Sequence, residues 1–169
     1  MILKFGKLKL YLPDNEPHIY YATFFAGEWD FLHVKEKDIV VDAGASVGDF
    51  TLKVAEKARK VIAIEPNPVY LDYLKKNVKE NGLEDKVVIM PYAIYERSEK
   101  VKFKVGGTGS KVGEGEVEVI GMPFDEIIRI AGETNVDVIK MDIEGAESFV
   151  VNSEIFFKAR DGTSWKGQR

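Results

Sequence analysis

Four short segments rich in apolar residues constrain this chain more than any other feature of its sequence. They lie at 39–41, 61–64, 87–90 and 136–143. The first is a continuous apolar run without alternation, which is typical of a strand buried on both faces of a parallel sheet. Segments with helical spacing, such as 49–59, separate these runs. The order β-α-β-α-β-hairpin-α-β-α predicts an α/β fold with an open, mostly parallel sheet and helices on both faces.

Local signals place the other elements. Asn67 and Pro68 start a helix, because Asn caps free backbone N–H groups and Pro suits the first helical position. Gly82 ends that helix in a left-handed conformation. We further expect strands within 3–12, a turn at 13–17, a returning strand at 19–22, a short helix at 24–34, a hairpin of 101–105 with 117–120 and a glycine-rich tip at 106–116, and helices at 123–131 and 146–157.

Length and composition favour one cytoplasmic domain. The 169 residues form N-terminal strands and a helix at 1–35, a core at 36–157 and a polar tail at 158–169. No apolar run is long enough to cross a bilayer, and the N-terminus lacks the pattern of a signal peptide. The absence of cysteine and the presence of only 2 histidines argue against a metal centre. The net charge of -4 does not favour a nucleic-acid binder.

Residues suited to a nucleoside site follow three of the predicted strands. Asp42, Gly44 and Gly48 follow the first strand, Glu65 follows the second, and Tyr92 with Ala93 follows the third. Ligands of open α/β sheets bind at these carboxyl ends, where an acidic residue accepts hydrogen bonds from ribose hydroxyls. The spacing Gly-x-x-x-Gly after an acidic residue is not the dinucleotide pattern, because Asp42 disfavours a pyrophosphate but tolerates the cationic end of S-adenosylmethionine.

The fourth predicted strand carries charges that a buried strand does not need for stability. Lys140, Asp142 and Glu144 alternate and share one face at its carboxyl end. One interpretation is purely structural: Lys140 neutralises a carboxylate and Glu144 caps the next helix. The other is catalytic. Asp142 takes the proton of an acceptor hydroxyl, and Lys140 keeps that carboxylate ionised or stabilises the developing alkoxide.

Several of these segments resemble one family of methyltransferases. Residues 41–51, 63–68 and 124–127, and above all the run Asp137-Val-Ile-Lys-Met-Asp-Ile-Glu-Gly-Ala-Glu147, are similar to motifs of the FkbM family, over roughly residues 39–151. The resemblance implies a Rossmann-like class I methyltransferase fold, a three-layer sandwich, that uses S-adenosylmethionine to methylate a hydroxyl of a small molecule or saccharide.

The resemblance also implies which residues form the site. Asp142 and Glu144 are expected near the transferred methyl, with Lys140 as the third catalytic candidate. The cofactor-binding candidates are Asp42, Ala43, Gly44, Ala45, Gly48, Glu65, Pro66, Asn67, Tyr92, Ala93 and Asp142.

One departure from the family pattern concerns the end of the chain. After the helix at 146–157 the sequence is polar, so the last strands of the usual sheet are expected to be missing. Three alternatives to an active small-molecule methyltransferase stay open: a cofactor-binding scaffold without turnover, an RNA methyltransferase, and, less favoured, an NAD-dependent dehydrogenase.

A free edge on the strand at 136–143 invites pairing with another chain. We therefore expect a homo-oligomer in solution that covers this edge, or a rearranged tail that does so. Size-exclusion chromatography with light scattering measures the molar mass. A monodisperse monomer with this edge uncovered contradicts the expectation.

Overall fold

The computed structural model describes residues 1–104, 115, 117–143 and 145–159. In chain order the elements are β1 (Ile2–Phe5), β2 (Leu8–Tyr11), α1 (Pro17–Phe24), β3 (Ile39–Ala43), α2 (Asp49–Ala55), β4 (Lys60–Ile64), α3 (Pro68–Glu80), β5 (Val87–Met90), β6 (Ala93–Ile94), β7 (Glu99–Phe103), β8 (Val117–Met122), α4 (Phe124–Ile130), β9 (Val138–Met141), α5 (Glu147–Val151) and α6 (Glu154–Ala159).

The four predicted buried strands form one parallel sheet in the order β5-β4-β3-β9. Successive residues of β3 point into two different cores. Val40 packs with α2 and α3 residues such as Leu52 and Leu74, whereas Val41 packs with α4 residues such as Ile127. Apolar side chains on both faces explain why this strand shows no alternation in the sequence. The result is the predicted three-layer, Rossmann-like class I methyltransferase fold.

The predicted hairpin is present and belongs to a second sheet. β7 pairs antiparallel with β8, with Val101 opposite Val119. The short strand β6, which the sequence analysis missed, pairs in parallel with the other edge of β8. The tip at 106–116 lies outside the described residues except for Gly115.

The prediction for the segment before β3 was partly wrong. Residues 19–22 form a strand in the prediction but lie inside helix α1, and the predicted helix at 24–34 is a series of turns. Pro17 occupies the first turn of α1, and Tyr20, Thr23 and Phe24 bury one helical face. Packing thus overrides the strand preference of the aromatic residues in α1. The strand that returns beside β1 is β2, which follows a tight turn at Gly6.

Two side-chain amides fasten the N-terminal hairpin to helix α3. Asn77 accepts from the backbone N of Tyr11 (2.7 Å) and donates to its oxygen (2.8 Å). One helical turn later, Asn81 makes the same pair of bonds with Lys9, at 2.9 and 2.7 Å. Each amide thereby makes the hydrogen bonds that a neighbouring strand would make on this side of β2. Asn77 and Asn81 therefore have a structural role in this fold.

The predicted helix at 146–157 is divided into α5 and α6. Ser153 Oγ accepts from the backbone N of Phe156 (3.1 Å) and starts the second helix. The carboxylate of Asp125 accepts from the backbone N of Glu154 and of Ile155, at 3.0 and 3.1 Å. These polar groups satisfy the free N–H groups at the break, which favours two short helices over one.

Strand β9 forms one edge of the four-stranded sheet, and no other strand of the described residues pairs with it beyond β3. Its side chains are all buried. The oligomer expected to cover this edge stays a prediction. Within the described part of the chain, no helix has the length and apolarity needed to cross a membrane.

The ends of β3 and β9 approach so closely that Gly44 has no room for a side chain. Its φ is 79°, and a Cβ there would overlap the backbone oxygen of Asp142. We expect Gly44→Ala to lower the free energy of unfolding by at least about 3 kcal/mol, through left-handed strain plus the overlap. Urea unfolding measures the change. The matched control is Gly82→Ala, where φ is also positive (64°) but nothing lies within 4 Å, and there we expect about 1 kcal/mol. Equal losses would contradict the packing argument.

Candidate active site

The carboxyl ends of the parallel strands open into a cavity of about 470 Å³. This is the edge where ligands bind in open α/β sheets, and the volume suits a small-molecule site. Seven of the residues that the sequence singled out line this cavity. They are Gly44, Glu65, Pro66, Tyr92, Ala93, Lys140 and Asp142.

Glu65 lies directly after β4 with only 5% of its surface exposed. Its carboxylate accepts from the backbone N of Ser46 and of Asn67, both at 2.7 Å. Burial raises its pKa to about 7, although these two hydrogen bonds act in the opposite direction. Each oxygen retains a further lone pair, so the carboxylate can still accept hydrogen bonds from a ligand in the cavity.

The glycine turn between β3 and α2 wraps over the end of β4. The backbone N–H groups of Gly44 and Ala45 both donate to the oxygen of Ile64 at 3.0 Å. Gly48 has φ 88°, and a Cβ there would lie 2.5 Å from a methyl carbon of Leu74. Both glycines are therefore required by packing against protein, Gly44 against the β9 loop and Gly48 against α3.

Five of the candidate cofactor-binding residues stand behind the cavity wall. They are Asp42, Ala43, Ala45, Gly48 and Asn67, which are buried and do not line the cavity. Asp42 is fully buried and accepts from the hydroxyl of Thr51 at 2.6 Å. Asn67 caps α3 by accepting from the backbone N of Val69 at 3.0 Å. They hold the wall in place instead of facing the cavity.

Lys140 pairs with Asp42 and not with Asp142. Its ammonium lies 2.9 Å from Asp42 Oδ1, donates to the oxygen of Gly44 at 2.7 Å, and stands 5.2 Å from the centre of the Trp29 ring. Burial by itself lowers the pKa of Lys140, but the neighbouring carboxylates outweigh it and raise that pKa above its ordinary value. Lys140 is thus a charged link between β9 and the glycine turn.

Asp142 follows the end of β9 and is exposed at the cavity. The strand ends at Met141, so Asp142 lies in the loop directly after it. Glu144, the third catalytic candidate, lies outside the described residues. The structure therefore brings Lys140 and Asp142 to one cavity but engages the lysine elsewhere.

A further group of cavity residues was missed by the sequence analysis. Asp49, buried at the start of α2, accepts from the hydroxyl of Thr23 on α1. Burial raises the pKa of Asp49 to about 6. Trp29, which is also buried in the core, and the exposed His18 line the cavity as well. These residues could have been found if helix α1 and the turns after it had been recognised. The prediction of a strand at 19–22 prevented this.

The TRM5/TYW2 methyltransferase domain family matches residues 17–105, which is more than half of the chain. This chain belongs to that family. It is a methyltransferase domain, and S-adenosylmethionine is its cofactor. The family differs from the one that the sequence motifs suggested, although both have the same fold.

Relatives differ in what their names say they modify. The tRNA (guanine(37)-N(1))-methyltransferase Trm5b of Methanocaldococcus jannaschii is 38% identical over 41% of this chain and 21% of its own length. The hexuronic acid methyltransferase AglP of Haloferax volcanii is 27% identical over 72% of this chain and 54% of its own length. Other curated relatives are matched over only 16% to 43% of their length.

Solved structures support the fold alone. The methyltransferase FkbM of Methylobacillus flagellatus superimposes with a TM-score of 0.55 at 21% identity, covering 83% of this chain and 32% of that one. The M. jannaschii TYW2 in complex with AdoMet gives 0.56 at 19% identity, covering 92% and 57%. FkbM is therefore a structural neighbour on the same footing as TYW2, and membership of the FkbM family is not established.

The residues present fit S-adenosylmethionine. A buried carboxylate with unused lone pairs suits the two ribose hydroxyls of its nucleoside. Tyr92 and Ile94 line the cavity beside Glu65 and provide apolar surface for an adenine ring. At the glycine turn the wall is formed by Gly44, which has no side chain to occupy the cavity.

The buried Glu65 makes the stability of the ligand-free protein depend on pH. Its folded pKa of about 7 lies above the ordinary value of 4.5, so its stabilising contribution is complete below pH 4.5 and is lost as pH rises through 7. In Glu65→Gln this loss does not occur. Relative to wild type, we expect the variant to gain roughly 3 kcal/mol of unfolding free energy between pH 4.5 and 8.

Urea unfolding at several pH values tests this difference. The control is Glu84→Gln, an exposed glutamate just before β5, at the opposite end of the sheet. Its stability profile should parallel that of wild type. Parallel profiles for Glu65→Gln as well would show that Glu65 titrates normally and contradict the prediction.

Proposed function

We propose that this chain is an S-adenosylmethionine-dependent O-methyltransferase that acts on a hydroxyl of a small molecule or saccharide. The observation that carries the proposal is the single cavity that combines the buried Glu65 carboxylate with the exposed Asp142 carboxylate. One group suits the nucleoside of the methyl donor, and the other is accessible to an acceptor. S-adenosylmethionine supplies the methyl group as an activated sulfonium.

Glu65 and its neighbours form the donor side of the site. Glu65 accepts from ribose hydroxyls and is itself held by the backbone of Ser46 and Asn67. Tyr92 and Ala93 flank the adenine ring, and Gly44 leaves space beside it. Because these groups are fixed by buried contacts before any ligand arrives, they hold the donor in one orientation for in-line transfer.

Asp142 is the group that we assign to the acceptor. A hydroxyl must lose its proton as the methyl arrives, and a carboxylate at the cavity can take it. Lys140 does not approach that carboxylate within 4 Å, since its ammonium pairs with Asp42. We therefore assign Lys140 to positioning of the glycine turn and not to the reacting atoms.

A saccharide or another uncharged acceptor agrees with the charge of the cavity. The named substrate of AglP is a hexuronic acid, and this supports a saccharide as the acceptor class. The wall here carries the carboxylates of Glu28, Asp49 and Asp142, which repel an anion. We therefore favour an uncharged acceptor molecule, methylated on a hydroxyl, over an anionic one.

RNA is the second candidate acceptor, and it is supported by the family and by one surface. Lys4 and Lys9 are directly opposite each other on the exposed face of the N-terminal hairpin. Lys76 lies 4.1 Å from the centre of the neighbouring Tyr11 ring. Like charges in a cross-strand pair are unfavourable unless an anion neutralises them. RNA binding that weakens steeply with added salt would favour this candidate.

Calorimetric titration with S-adenosylhomocysteine tests the donor side first. We expect saturable binding that Glu65→Ala abolishes, because the ribose then loses its acceptor. Glu84→Ala, at the opposite end of the sheet, should bind as wild type does. Absence of binding to the folded wild-type chain would contradict the proposal and leave a scaffold without cofactor.

A methyl-transfer screen then tests the acceptor side. The acceptors offered are neutral saccharides, the corresponding uronic acids and, in a separate arm, transfer RNA. We expect methyl transfer to the neutral saccharides. We expect Asp142→Asn to reduce that transfer about a hundredfold or more, at saturating methyl donor, without weakening the binding of S-adenosylhomocysteine. Transfer only to RNA would replace the first candidate with the second.

A further inference from the structure

The cavity wall carries more negative than positive charge. Among its described residues, four carboxylates face one lysine. The carboxylates are those of Glu28, Asp49, Glu65 and Asp142, and the lysine is Lys140. His18 also lines the wall and is exposed.

The one lysine offsets the four carboxylates only in part. Its ammonium forms an ion pair with a fifth carboxylate, Asp42, at 2.9 Å, behind the wall. None of the four lining carboxylates has a lysine or arginine of the described residues within 4 Å. Their negative charge is therefore directed at whatever occupies the cavity.

Asp49 and Asp142 lie nearest to the lysine end of the cavity. Both raise the pKa of Lys140 through their charge, which shows that the three groups are close neighbours. Asp49 is buried, and its carboxylate accepts from the neutral hydroxyl of Thr23. Above its pKa of about 6 it adds a full negative charge in a poorly solvated place.

We propose that this acidic wall selects the methyl donor by charge, so that the site binds S-adenosylmethionine more tightly than S-adenosylhomocysteine. The inference rests on the proposed function, since it concerns the same cofactor site. The two molecules differ by one methyl group and one positive charge at sulfur. A wall with an excess of negative charge discriminates between them even though their nucleoside contacts are identical.

The same charge difference favours release of the product. During transfer the bond between methyl carbon and sulfur breaks, its electron pair stays on sulfur, and a new bond forms between that carbon and the acceptor oxygen. The acceptor proton passes to the Asp142 carboxylate. Sulfur thereby becomes neutral and loses its attraction to the wall, so the product dissociates more readily than the donor.

Calorimetry at pH 8 measures the preference directly. We expect the dissociation constant of S-adenosylhomocysteine to exceed that of S-adenosylmethionine by about tenfold or more. Sinefungin, which carries an amine in place of the sulfonium methyl, should bind like the methyl donor. Asp49→Asn and Asp142→Asn should each bring the ratio towards one while leaving the affinity for S-adenosylhomocysteine unchanged.

The control variant is Asp85→Asn, an exposed aspartate at the opposite end of the sheet, which should keep the wild-type ratio. Substitution of a residue that only supports the fold would weaken the binding of both ligands equally and leave the ratio of their dissociation constants unchanged. Equal affinities in the wild-type protein overturn the inference, as does a ratio that survives both cavity variants. Failure of every ligand to bind contradicts the proposed function itself and thereby this inference with it.

Discussion

A buried ion pair between Lys140 and Asp42 joins the two strands on which the site depends. The two residues are direct neighbours across the β3–β9 pairing, and almost nothing of either side chain reaches solvent. Burying two charges is costly unless both are well paired and hydrogen-bonded. Here Thr51 binds the carboxylate and the Gly44 oxygen binds the ammonium. The contact therefore sets the position of the glycine turn, and loss of either partner would leave an uncompensated charge in the core.

The site is assembled at a cost to stability. Glu65 and Asp49 are buried carboxylates whose pKa values rise to about 7 and about 6, which means that their ionised forms are disfavoured in the ligand-free protein. A fold selected for stability alone would not place both carboxylates in one wall. In the proposed site, hydrogen bonds and positive charge from the methyl donor would compensate for this cost, so function and instability would have the same origin in these residues.

Most of the fold and about half of the candidate site could be predicted from local patterns. The parallel strands were predictable because each is short and apolar, and three of the four are followed by a helix signal. Glu65, Tyr92 and Asp142 were found because the ends of strands can be recognised in a sequence. The segment before β3 was not, since Ile19 to Ala22 favour a strand locally and become helical only through packing of Tyr20 and Phe24. Asp49, Thr23 and Trp29 were missed for the same reason, as their place in the wall depends on α1.

The sequence by itself determined the order of the elements, the carboxyl ends at which the site lies and the residue types available there, because these depend on neighbours along the chain. Only the tertiary structure decided which charge pairs with which. Lys140 shares a strand pattern with Asp142, yet its ammonium lies against Asp42, 98 positions earlier, because β9 packs beside β3. Partners across a sheet are set by strand order and register, which no local pattern specifies.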